Sequence, residues 1–233
     1  MTASVEEVLQ RLRAKAQPEQ LAGMARYGLT QEGRLGVKVP DLRKIAKQVG
    51  HDHDLALALW ETGVTEARIV AAMIEVPSEV SGAQMDEWVQ GFNSWDVCDQ
   101  VCMNCFEKTT LAWGKVRDWS TREEEFVKRA AYALVACLAW HDKQAPDEAF
   151  LAVLPVIRAG ATDGRNMVKK AVSWALRNIG KRNPRLHAEA LATAEELQQM
   201  DARSAQWIAR DVVRDLTSAT TRRRLEKMKE TSP

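Results

Sequence analysis

A chain of 233 residues with 45% apolar content is long enough to bury a core as one domain or one continuous stack of repeats, and two unrelated domains would be a tight fit. No stretch approaches the roughly 18 uninterrupted apolar residues of a bilayer crossing, and the opening MTASVEEVLQ lacks a basic segment followed by an apolar one, so the expectation is a cytoplasmic protein with no membrane partner. The net charge of +1 divides unevenly: residues 1–157 carry 17 Lys and Arg against 23 Asp and Glu, residues 158–233 carry 16 against 9, which suits a polyanion bound on one face as well as a solvated surface.

Apolar residues recur at steps of three and four along nearly the whole chain. In order, helices are expected at VEEVLQRLRAKA (5–16), DLRKIAKQV (41–49), EARIVAAMIEV (66–76) and WDVCDQVCMNCFEKTTLAW (95–113). They continue at EEEFVKRAAYALVACLAW (123–140), DEAFLAVLPVIRAG (147–160), NMVKKAVSWALRNIGKR (166–182) and SAQWIARDVVRDL (204–216). Ser120 followed by Glu123 reads as a capping box, Pro146 and Pro184 suit first helical turns, and Asp163-Gly164 and Asn183-Pro184 mark breaks. No segment alternates as a half-buried strand would. The fold class expected is therefore all-α with short connections.

VKRAAYAL (127–134) and VKKAVSWAL (168–176) align at an offset of 41 residues when Arg129 is matched to Lys170. A period near 40 with two helices per unit is the pattern of HEAT-like repeats, which stack helix pairs into a solenoid with a concave face. The chain then reads as one HEAT-like domain over 1–233, its end TTRRRLEKMKETSP (220–233) a frayed or disordered basic tail whose Arg222, Arg223 and Arg224 could also touch phosphates.

Cys98, Cys102 and Cys105 stand at the C-x3-C-x2-C spacing of a radical iron-sulfur cradle. Such a cradle belongs on a loop after a strand, where backbone curls round the cluster. Here the cysteines continue a helical stripe with Trp95 and Val101, so they read as core thiols, and with Cys137 they are too few for a disulfide scaffold. On the same helix Asp96 sits near the start, where a carboxylate favours the helix dipole, and Asp99 lies one turn after Trp95, which projects a carboxylate and an indole from neighbouring positions.

Arg129 interrupts an apolar helix, and Trp174, Arg177 and Lys181 fall at steps of three and four, placing an indole and two cations along one face. Cations neutralise phosphates and an aromatic ring packs on sugar C–H groups, although Trp174 in a core with a solvated basic edge gives the same spacing. His51, His53, His141 and His187 are scattered, and no metal or cofactor is expected.

Together MARYGL…GRLGVKVPDLRKIAK, NSWDVCDQV, FVKRAAYAL and VKKAVSWALRNIGKRNP resemble the AlkD-like DNA alkylation-repair glycosylases, a HEAT-like repeat family, over residues 20–215. The resemblance implies a solenoid with a concave, positively charged face acting as a monomer on double-stranded DNA that contains alkylated purines. The implied activity is hydrolysis of the N-glycosidic bond of cationic N3- and N7-alkylpurines, without metal or cofactor. Trp95 and Trp174 then match the tryptophans that flank the lesion's deoxyribose, Asp99 the catalytic carboxylate and Arg129 the arginine that supports it. Lys170, Arg177 and Lys181 match DNA-backbone contacts, with Tyr27 and Lys38 in the segment that approaches the lesion strand. Asn166 and Met167 depart from the family, which places an aromatic there. The alternative from another class is a non-catalytic HEAT-like module that binds nucleic acid or protein.

Overall fold

The computed structural model describes residues 3–230, with side chains to Met228, and every regular element among them is helical. The chain divides into two compact units, residues 1–112 and 113–233.

Unit 1 is built from α1 (Val5–Arg13), α2 (Leu21–Ala25), α3 (Val39–Val49), α4 (His53–Glu61), α5 (Thr65–Ile74), α6 (Gly82–Gln90) and α7 (Trp95–Asn104). α3, α5 and α7 pack in succession, and α4 backs α5. α5 can sit at the centre because Ala67, Ala71 and Ala72 are fully buried and let neighbouring backbones approach, while Ile69, Val70 and Ile74 supply volume. Trp60 stacks on Trp88 at 4.3 Å, with Phe92 edge-on to Trp60 at 6.1 Å, closing the other end of this core.

Two buried glutamates bracket α5, and each is fully engaged, as burial of a charge demands. Glu66 accepts from the amides of Leu35 (2.9 Å), Gly36 (2.7 Å) and Val37 (3.2 Å). That carboxylate holds the loop entering α3, where Gly36 has φ 81° and a Cβ would lie 2.5 Å from the Gln17 carbonyl oxygen. Glu75 accepts from the Gln84 amide at 2.7 Å and pairs with His53 Nδ1 at 2.6 Å.

Unit 2 comprises α8 (Ala112–Ser120), α9 (Glu125–His141), α10 (Asp147–Leu151), α11 (Leu154–Gly160), α12 (Asn166–Ile179), α13 (Pro184–Gln198), α14 (Arg203–Leu216) and α15 (Ala219–Glu230). The two segments related by the 41-residue offset are α9 and α12, and among the described residues they form the most extensive helix pair. α12 packs in turn on α14, and α13 covers α14. Arg182 fastens the end of α12 to the end of α9 by donating to the carbonyls of Ala139 (3.0 Å), Asp142 (2.7 Å) and Ala145 (3.0 Å), with its guanidinium 4.1 Å over Phe150.

Several boundaries differ from the sequence reading. The run 95–113 breaks after Asn104 into a 3₁₀ turn, Phe106–Lys108, that buries Phe106; no Gly or Pro announces the break, because both flanks are amphipathic. The run 147–160 is two helices, since Pro155 has no N–H to continue the first. Ser120 forms no capping box: it ends α8 and its hydroxyl donates to Arg117 O at 2.9 Å. A reciprocal box is made instead by Ser4 and Glu7. Pro146 is the residue before α10, whereas Pro184 does open α13. α2, α4, α6, most of α8 and the body of α13 beyond its opening Pro184 were outside the expected segments. Of the tail, residues 220–230 lie in α15, docked through buried Thr221 and Leu225, and residues 231–233 lie outside the described residues.

Candidate DNA-binding and catalytic residues

The start of α7 is held by a clamp from the segment between α2 and α3. Arg34 is buried and grips Asp96 through both carboxylate oxygens, Nη1 to Oδ2 at 2.6 Å and Nη2 to Oδ1 at 2.9 Å. Its Nε donates to Thr30 O at 2.7 Å, and its Nη2 also reaches the Ser94 hydroxyl at 3.2 Å. Ser94 occupies the N-cap position, yet its hydroxyl donates to Asp96 Oδ1 at 2.7 Å rather than capping the helix.

The same segment fixes the indole. Trp95 Nε1 donates to the Tyr27 carbonyl at 2.9 Å, and Thr30 Oγ1 donates to the Asn93 carbonyl at 3.2 Å. Trp95 and, one turn on, Asp99 are both half-buried. Tyr27 is 76% exposed, so its backbone serves the clamp while its ring stays in solvent. Lys38, at the N-cap of α3, is exposed.

Cys98, Cys102 and Cys105 are fully buried, the first two on α7 and the third just past its end. Burial pushes the Cys105 thiol far above its ordinary range, as expected of a thiol that packs rather than ligates. Among the described residues no three His, Cys, Asp or Glu side chains converge in a way that would hold a metal ion.

In unit 2, Arg129 is buried on α9 and donates to Met167 O at 2.7 Å, in the first turn of α12. Trp174 is half-buried and Lys170 exposed on α12. Arg177 and Lys181 are engaged by α14. Lys181 Nζ lies 2.5 Å from Asp215 Oδ2, Arg177 Nη1 lies 3.2 Å from the same oxygen, and Arg177 Nε is 3.5 Å from Asp211 Oδ2. Asp211 also accepts from the Ser173 hydroxyl at 2.6 Å and pairs with Arg214. One turn earlier on α12, Lys169 Nζ sits 4.6 Å over the Trp207 ring.

The sequence reading missed Arg34, Asp211 and Asp215. Asp211 and Asp215 are an i,i+4 acidic pair on a helix whose own basic residues advertise a positive face; only the docking of α14 on α12 turns the pair toward Arg177 and Lys181. Arg34 lies in an irregular loop, and 62 positions separate it from its partner.

A family model described as DNA alkylation repair enzyme matches residues 8–216. Among solved structures, a member of a family of proteins related to the HEAT-like repeat DNA glycosylases with affinity for branched DNA structures superposes with a TM-score of 0.74. It is 20% identical in sequence, covers 91% of this chain and is itself covered over 95% of its length. At that identity the likeness is one of fold, and it places the chain among HEAT-like helical-repeat proteins. A designed armadillo repeat protein in complex with the peptide (KR)4 is a remoter likeness, at TM-score 0.39 and 15% identity over 97% of this chain and 87% of that one. No curated protein matches the sequence.

Proposed function

The chain belongs to the DNA alkylation repair enzyme family, and from that premise we propose that it is a DNA glycosylase that hydrolyses the N-glycosidic bond of cationic N3- and N7-alkylpurines in duplex DNA, leaving an abasic site. The observation that supports this reading is the clamp on α7: a buried Arg34–Asp96 pair and the Trp95–Tyr27 bond hold the start of the helix and its indole, and Asp99 lies one turn further along the same helix. A carboxylate acting on charge that develops in a transition state must be held in advance, because it gains nothing from an interaction it has to reorganise to make.

Alkylation at N3 or N7 puts a positive charge on the purine. When the bond from C1′ to the base nitrogen breaks, its electron pair goes to the base and neutralises it, and the deoxyribose becomes oxocarbenium-like. Water then bonds to C1′ and loses its proton. In this reading Asp99 stabilises the cationic sugar and orients that water, as carboxylates do in sugar hydrolysis. Trp95 and Trp174 contribute electron-rich faces to the sugar, and Arg129 supports the site. Lys170, Arg177 and Lys181 neutralise backbone phosphates, and Tyr27 and Lys38 approach the lesion strand. The leaving base is already activated, so neither general acid, metal nor cofactor is required of the protein.

The test is mass spectrometry of bases released from methylated duplex DNA. Wild-type protein releases 7-methylguanine, and Asp99→Asn binds the same duplex while losing at least about 100-fold in release, the scale on which removal of one preorganised electrostatic group acts. Wild-type protein that binds DNA and releases no alkylbase overturns the reading in favour of a non-catalytic DNA-binding module, the second reading that the likeness to a branched-DNA-binding family keeps in play.

A further inference from the structure

Three cations from three separate stretches of unit 2 converge outside the proposed catalytic and DNA-contact residues, one of them Arg224, which the sequence reading places in a tail able to touch phosphates. Lys143 follows α9, Arg182 lies in the turn between α12 and α13, and Arg224 is on α15; all three line a cleft of about 350 Å³. Among the described residues none of them forms an ion pair with a carboxylate. The one carboxylate in the cleft wall among the described residues, Asp147, is engaged by the Asn183 amide at 2.7 Å and by Arg185 at 3.9 Å. Arg182 spends its Nη atoms on backbone carbonyls, with Asp142 and Asp147 near enough to act on its charge without forming an ion pair, and among the described residues its buried Nε has no hydrogen-bond partner.

The convergence is built in. Thr221 donates to Asp215 O at 2.9 Å and Leu225 is buried one turn later, so α15 is seated with Arg224 at the cleft. Lys143 is exposed as a whole, but its ammonium, which donates to Trp140 O, is partly withdrawn from water; that desolvation lowers its pKa, and the nearby Arg182 and Arg224 charges lower it further. Three cations gathered around a wall whose single described carboxylate is already engaged favour an anion, and α15 extends the wall through Arg223 and Lys227 into an adjoining cleft that shares Arg224.

We propose that Lys143, Arg182 and Arg224 form a second phosphate site, which takes a backbone phosphate of DNA through contacts separate from those of Lys170, Arg177 and Lys181. The site rests on the DNA-binding half of the reading above and is independent of its glycosidic chemistry. A phosphate dwelling in a three-cation cleft widens the DNA footprint and adds affinity without sequence preference.

The experiment measures binding of a fluorescein-labelled unmodified duplex by anisotropy across a potassium chloride series. Lys143 and Arg224 are exposed, so Lys143→Ala/Arg224→Ala leaves the fold intact, whereas Arg182 is left in place because it also ties α12 to α9. The double variant should bind about 5- to 10-fold more weakly near 100 mM salt and lose about one from the slope of log affinity against log salt, as removal of one phosphate contact predicts. Arg222→Ala, on an exposed α15 position outside both clefts, should change the slope by much less. An unchanged slope in the double variant, or an equal loss in Arg222→Ala, overturns the proposal. So does titration in which inorganic phosphate or pyrophosphate binds wild type tightly while the duplex slope is indifferent to the double variant, which would mark a small-anion site. Release of 7-methylguanine at saturating duplex reads the other hypothesis separately: its absence in wild type sinks the glycosylase and leaves the slope result standing.

Discussion

Lys181 and Asp215 lie 2.5 Å apart, and Arg177 shares the same carboxylate oxygen at 3.2 Å, so two of the cations proposed to hold DNA already have a counterion. A phosphate must displace or share that carboxylate, which discounts whatever the cation would gain from the phosphate. Asp215→Asn removes the competitor. Duplex affinity should rise about 3- to 10-fold at low salt, with a slope against log salt steeper by about one, since freed cations release counterions from the DNA. Anisotropy titrations of the variant check this, and an affinity equal to or below wild type would show that Asp215 orients the cations instead of competing for them.

Arg34→Met should be severely destabilising. It leaves Asp96, whose side chain is only 16% exposed, without its bidentate partner, and breaking a buried pair from one side costs about 3–5 kcal/mol. Urea denaturation measures the loss. Asp96→Asn, which keeps the shape and can still accept from Ser94, should cost less than Arg34→Met; both should reduce alkylbase release if the clamp positions Asp99.

Gly160 on α11 faces Tyr132 on α9, where a Cβ would lie 1.9 Å from the phenol oxygen and 2.3 Å from its ring carbon. Gly160→Ala therefore displaces a buried ring that donates to Val156 O, at a cost of about 1–3 kcal/mol typical of overpacking. Chemical denaturation should show the loss, with Tyr132→Phe in the same background recovering only part, because the ring carbon still clashes.

The His53–Glu75 pair gives stability a pH dependence of defined sign. The hydrogen bond that His53 donates to the Glu75 carboxylate raises the His53 pKa above its ordinary 6.5, burial opposes the shift, and the charges of Glu75, Glu79 and Asp54 add to it. A group whose folded pKa is raised contributes fully below its unfolded value, so this contribution is present below about pH 6.5 and fades as pH rises through the folded value. Thermal midpoints measured from pH 5.5 to 8.5 should fall less steeply in His53→Gln than in wild type over that window. Asp163 works in the opposite sense: Arg165 lowers its pKa, so its contribution is present above the unfolded carboxylate value and is lost as acid protonates it.

Much of this was legible in the residues themselves. Helical periodicity located the cores of α1, α3, α5, α7, α9, α12 and α14, because these helices bury one face and show the rest to water, a contrast that the order of residues records directly. The 41-residue offset picked out α9 and α12, which are each other's main neighbours. Trp95 and Asp99 stood out for the same reason, since a spacing of four is a fact about the chain. α4 and α6 were harder, as short helices flanked by polar turns offer few repeats of the period.

What no inspection of the sequence supplies is which distant charge meets which. Arg34 grips Asp96, Glu66 collects three amides of the loop before α3, and Asp215 sequesters Lys181 only once the helices have docked, because an ionic partner is selected by proximity in space and by the exclusion of water around it. Composition set the number of charges and periodicity set their faces. The tertiary fold alone decided which cations were neutralised and which, at Lys143, Arg182 and Arg224, were gathered together with no ion-pair partner among the described residues.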